Sequence, residues 1–110
     1  MAQFDVFRNA NPATRARIPY LLDVQSDLLD MQATRVVVLL YKPGILKGRL
    51  AETLNPVLEI EGREVAMLTP ELAGVPTNIL AEPIGNLSDQ RGAIIAALDL
   101  VIAGIRQRRP

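Results

Sequence analysis

Only one stretch of this 110-residue chain, residues 87–105, carries a helical repeat, and the apolar residues before it come in short runs or alternate. That division constrains the fold more than anything else, because strands in series with one terminal helix imply an α+β domain built on antiparallel sheet. Ile94, Ile95, Leu98, Val101, Ile102 and Ile105 recur at spacings of one, three and four, so one helix face is apolar while Gln90, Arg91 and Asp99 fall off it. Ser88 is the expected N-cap, Asp89 follows where the helix dipole favours an anion, and Gly104 is the expected stop. By periodicity alone, such a helix packs on a sheet and does nothing more.

The strands are read from alternation. Residues 3–8 form the first, with Phe4 and Val6 on one face and Phe7 on the other. Residues 20–25 and 35–41 follow, and the run from Val36 to Leu40 predicts a central strand buried on both faces. Residues 57–60 and 64–69 flank Glu61-Gly62-Arg63 as a hairpin, and residues 77–82 make a last strand. Between these, residues 9–17 read as a long mobile loop of the kind that binds something. Lys42-Pro43-Gly44 is a turn, since Pro43 cannot donate to a central ladder, and Pro70 opens a further turn or a single helical turn. Ser26-Asp27-Leu28-Leu29-Asp30 sets two leucines among acids, where their side chains are expected at the surface.

One domain, 1–110, suffices, since a chain of this length buries roughly 60–70% of its unfolded surface without metal or disulfide. Cys and His are both absent, which removes disulfides, thiol nucleophiles, the commonest general base and the commonest metal ligands, so neither cofactor nor metal is expected. The N-terminus lacks the basic and apolar regions of a signal peptide, and the apolar tract 93–105, interrupted by Asp99, is shorter than the about 20 residues a bilayer needs. A cytoplasmic protein with no membrane partner is expected. Net charge is zero, yet Arg106, Arg108 and Arg109 sit in the tail 106–110, which reads as flexible, leaving nine cations against twelve acids elsewhere. Such a body does not offer a broad nucleic-acid face. A hydrophobic content of 49% suits a domain that covers part of its surface with a second copy.

Several blocks, in order, carry a resemblance: Gln3-Phe4-Asp5-Val6-Phe7, Leu22-Asp23-Val24-Gln25-Ser26-Asp27-Leu28-Leu29-Asp30, Leu54-Asn55-Pro56-Val57, Met67-Leu68-Thr69, Gly85-Asn86-Leu87-Ser88, and Leu98-Asp99-Leu100-Val101-Ile102-Ala103-Gly104-Ile105. Together they resemble the CcdB toxin family from Gln3 to Ile105, the Asp-Val-Gln-Ser-Asp block most specifically. The resemblance implies a homodimer with a small SH3-like β-barrel of antiparallel strands and a C-terminal α-helix, as in the CcdB, Kid and MazF toxins. It implies a toxin of a type II toxin–antitoxin module that is not an enzyme but binds the A subunit of DNA gyrase and traps its covalent DNA cleavage complex. A CcdA-like antitoxin would wrap a disordered segment around it, release gyrase, and with it bind operator DNA and repress the shared operon.

Carried over residue by residue, the resemblance implies a gyrase-binding surface of Gln3, Phe4, Phe7, Ser26, Leu28, Leu29, Asp99, Ile102, Ala103, Gly104 and Ile105. Arg15 and Arg17, with the 9–17 loop, are the antitoxin contacts. Three departures stand out: Ala103 replaces a Trp that stacks on a gyrase Arg, a contact worth about 0.5–2 kcal/mol; Asp99 replaces an Asn; and the 106–110 tail moves the terminal carboxylate away from Ile105. The tail arginines are expected to supply the contacts the Trp no longer makes. Two rival readings remain at this level. One is an endoribonuclease of the MazF and Kid type, using Arg35, Thr69 and Asp23, with the acid as base and Arg stabilising the phosphorane. The other is an inert relative that binds antitoxin without poisoning gyrase.

Overall fold

Glu61 and Gly62 both adopt positive φ, 52° and 79°, which is the two-residue type I′ geometry whose twist suits a tight hairpin. The hairpin joins β4 (Val57–Ile60) to β5 (Arg63–Pro76), with Ile60 paired to Arg63, so Arg63 belongs to the strand rather than the loop. The computed structural model describes residues 2–27, 33–46 and 54–102. Within them β1 (Asp5–Arg8), β2 (Tyr20–Asp23), β3 (Thr34–Tyr41) and β6 (Gly85–Asn86) complete a sheet ordered β4-β5-β3-β2-β1-β6, antiparallel throughout, and α1 (Arg91–Ile102) follows. This is the expected α+β architecture, a nearly closed antiparallel barrel with one C-terminal helix.

Near-closure has a specific cause. In a two-residue hairpin the closing pair exchanges both ladder bonds, so Glu59, one residue back, points its N–H and C=O away from β5 and toward the open edge. Gln90 meets both: its Oε1 accepts from the Glu59 N–H at 3.1 Å and its Nε2 donates to the Glu59 carbonyl at 2.9 Å. Because Gln90 follows β6 through the short 3₁₀ turn Ser88–Gln90, one side-chain amide links the two ends of the sheet.

β5 is longer than its sequence suggests. The pairing of β3 with β5 runs from Tyr41 opposite Ala66 to Leu40 opposite Met67, and resumes at Val38 opposite Leu72. Residues 68–71 therefore form a bulge beside Leu39, and the bulge absorbs Pro70, which needs no ladder partner there. The expected turn at Pro70 is thus a strand with a kink, because β3 offers pairing to Leu72–Pro76 that local propensity cannot anticipate. The expected strand over 77–82 is instead a 3₁₀ turn, Thr77–Ile79, followed by irregular chain, and the sheet edge is taken by β6.

The core gathers Phe4, Val6, Leu22, Val38, Leu40, Leu58, Met67, Leu87, Ile94 and Ala97 with their neighbours. The β3 run is not buried uniformly: Val37, Val38 and Leu40 are, but Val36 is 39% exposed at the strand's end. The first two strands start or stop inside their expected ranges, since a turn occupies Ala2–Asp5 and Asp23 bends the chain at Gln25. Ser88 does not cap α1; it opens the 3₁₀ turn, its amide donates to Asn86 Oδ1 at 2.8 Å, and the helix begins at Arg91. α1 buries Ile94 and Ala97, while Ile102, expected on the apolar face, is 64% exposed. Gly104 and the tail lie outside the described residues.

Candidate partner-binding surface

The N-terminal turn is hydrogen-bonded to both β2 and β6. The Asp5 N–H donates to the Ala2 carbonyl at 3.1 Å, and Phe4, third in that turn, has a φ of 74°. A type II turn demands positive φ at this position and normally takes Gly, so a Phe there is strained by about 1–3 kcal/mol. Neighbouring bonds hold it in place: Phe4 N–H to the Asp23 carbonyl at 2.6 Å and Leu87 N–H to the Phe4 carbonyl at 2.9 Å. The ring is 3% exposed in the core, with the Arg91 guanidinium 5.9 Å from its centroid. Asn86 Nδ2 donates to the Gln3 carbonyl and to Asp5 Oδ1, at 3.1 and 2.9 Å, tying β6 to the same turn.

The segment that leads to Ser26 is anchored from inside. Arg35 Nε donates to Asp23 Oδ2 at 2.8 Å, and both side chains are at most 1% exposed. Asp23 Oδ1 accepts from the Gln25 N–H at 2.9 Å, and Gln25 Oε1 accepts from the Val36 N–H at 2.9 Å. Burial raises the Asp23 carboxyl above its ordinary 3.8, opposed by the hydrogen bond from Arg35. Asp23 and Arg35 do meet, as a ribonuclease reading requires, but they meet in the interior. Thr69 is also fully buried, its hydroxyl donating to the Leu54 carbonyl. Asp23 and Arg35 are thus occupied with each other and with the backbone, and Thr69 with a backbone carbonyl.

Of the expected gyrase-facing residues, Gln3 and Ser26 are half-buried near the turn, and Asp99 and Ile102 are exposed on α1. Phe4 and Phe7, expected on the same surface, are buried at 3% and 0% exposure, with their rings packed inside the fold. Phe7 sits on the strand face opposite Val6, and that face is buried as well, so alternation alone could not reveal it. Leu28, Leu29, Ala103, Gly104 and Ile105 lie outside the described residues. Nothing in the sequence pattern singles out Asp27, Gln90 and Asn86 as organising residues, because polar side chains that bond to distant backbone leave no periodic signal.

At the other end of the barrel, Arg8, Arg15 and Arg63 line a cleft of about 400 Å³ with Tyr20 at its wall. Arg8 makes a long, exposed pairing with Glu61, at 3.9 Å. Arg15 and Arg17 are exposed, and the loop that carries them is tied down rather than open: Asn9 Nδ2 donates to Thr14 Oγ1 and the Ile18 carbonyl, and the Arg15 and Ile18 amides bond within the loop. Among the described residues no group of three or more acidic side chains is placed to hold a metal ion, and no helix is long and apolar enough to cross a membrane.

A family model described as CcdB protein matches residues 3–104. The chain belongs to the CcdB family. It is therefore a toxin-family protein of toxin–antitoxin modules, and the match takes in the N-terminal turn, the Asp23 network, the basic cleft and α1. The CcdB match also reaches Ala103 and Gly104, so the departure at Ala103 falls inside the family domain rather than in an appended tail.

Proposed function

We propose that this CcdB-family chain binds the A subunit of DNA gyrase and traps its covalent DNA cleavage complex. The contact surface comprises Gln3, Ser26, Leu28, Leu29, Asp99, Ile102, Ala103, Gly104 and Ile105, with Phe4 and Phe7 supporting it from within. The observation that carries the reading is the family match over residues 3–104. Its physical support is that Gln3 and Ser26 belong to segments hydrogen-bonded to one another, while Ile102 leaves a large apolar side chain 64% exposed at the end of α1. Trapping needs no catalysis by the toxin. A ligand that binds the cleaved state of gyrase better than the resealed one shifts the population toward breaks.

The same reading supplies a homodimer in the cytoplasm and a CcdA-like antitoxin that engages Arg15 and Arg17, with operator DNA bound only together with that antitoxin. The cleft of Arg8, Arg15 and Arg63 beside the loop supports an acidic antitoxin segment. The test is DNA cleavage with purified cognate gyrase, ATP and supercoiled plasmid. Linear DNA that appears only with this protein, after detergent and protease, is the expected result. Absence of linear DNA, with a known poison giving signal on the same gyrase, overturns the reading.

A further inference from the structure

Asp27 is exposed, outside the barrel core, and yet it makes a short bond between the two stretches that the proposed gyrase surface draws on: its Oδ1 accepts from the Gln3 N–H at 2.7 Å. A carboxylate accepting from a backbone amide is charge-assisted and directional, and here it spans 24 residues of sequence. Two further bonds run alongside it, from Gln3 Nε2 to the Val24 carbonyl at 3.2 Å and from the Phe4 N–H to the Asp23 carbonyl at 2.6 Å. The turn they hold contains Phe4 at a φ of 74°, a conformation a non-glycine residue keeps only where its surroundings over-determine it. The accepting carbonyls of Asp23 and Val24 lie at the end of β2 and just after it, where Asp23 pairs with the buried Arg35. Asp27 reaches Gln3 from further along the chain, at an exposed position.

We propose that Asp27 is a positioning residue, which clamps the strained Gln3–Phe4 turn to the chain at Ser26 and Asp27 so that the turn and these two residues face gyrase as one preformed surface. This rests on the gyrase reading above. Preformation matters because a surface of two loops that must be ordered on binding loses affinity to that ordering. The acceptor oxygen is what the clamp requires, not the charge, so Asn at this position preserves it and Ala removes it.

The experiment compares the full chain with Asp27→Ala and Asp27→Asn variants. Hydrogen exchange of the Gln3 amide is followed by NMR, affinity for a purified gyrase A fragment by calorimetry, and melting temperature by circular dichroism. Expected are a Gln3 amide that exchanges much faster in Asp27→Ala alone, gyrase affinity lowered about tenfold in Asp27→Ala and restored in Asp27→Asn, and three folded proteins whose melting temperatures lie within a few degrees of one another. Equal loss of affinity in Asp27→Ala and Asp27→Asn overturns the proposal in favour of a direct charge contact. Unchanged affinity in Asp27→Ala, or unchanged Gln3 exchange, overturns it as well, while leaving the gyrase reading standing. If the unaltered chain does not bind the fragment, the gyrase reading itself fails and the proposal falls with it.

Discussion

Replacing Gln90 by Ala tests whether one amide closes the barrel. The change deletes two hydrogen bonds, to the Glu59 N–H and to its carbonyl, at 3.1 and 2.9 Å, and leaves both groups on an edge where water can reach them. Each bond is worth about 0.5–1.5 kcal/mol net, and since water partly replaces them the pair sums to about 1–2 kcal/mol. With an unfolding entropy of about 0.2 kcal/mol/K for a chain of this length, the melting temperature should fall by about 4–9 °C. Gln90→Glu keeps the acceptor for the Glu59 N–H but turns an oxygen toward the Glu59 carbonyl, so it should recover none of the loss. Thermal melts by circular dichroism measure the first effect, and hydrogen exchange at the Glu59 amide localises it. A Gln90→Ala protein that melts with the parent and protects the Glu59 amide equally would refute the closure argument.

Arg35→Ala should cost about 3–5 kcal/mol in urea unfolding, because it leaves the Asp23 carboxylate buried without its partner; a loss below about 1 kcal/mol would mean the pair is not what holds that corner. Asp23 also sets a pH dependence. Its folded value is raised above 3.8 by burial, so the native state keeps the proton where the unfolded chain has released it. Its contribution to stability is therefore fully present below pH 3.8 and is lost as pH rises through the folded value. The stability difference between the parent and Asp23→Asn, measured by urea unfolding across acidic pH, should shrink in that direction, and an opposite slope contradicts the assignment. Ile102→Ser, at a side chain 64% exposed, should leave stability within about 0.5 kcal/mol while weakening gyrase binding in a pull-down with the A subunit; retained binding removes Ile102 from the surface.

Local chemistry sets the alternation in 57–60, the Glu61-Gly62 turn and the terminal helix: a period of two, a glycine free to take positive φ, and a recurring apolar stripe. The ordered blocks from Gln3 to Ile105 carry the family, and with it the candidate surface. Pro70 and the 77–82 segment depart from their local signals because their conformations depend on partners distant in sequence, β3 for the one and the β6 edge for the other.

What the sequence alone determined was the family, the α+β class and those elements that short, contiguous patterns encode. Only the tertiary structure decided that Asp23 and Arg35 are sealed inside rather than open to RNA, that Phe4 and Phe7 serve the core, and that Asp27, Asn86 and Gln90 join segments up to 83 residues apart. Burial and side-chain-to-backbone bonding depend on which surfaces the barrel brings together, and no local pattern of residues encodes that.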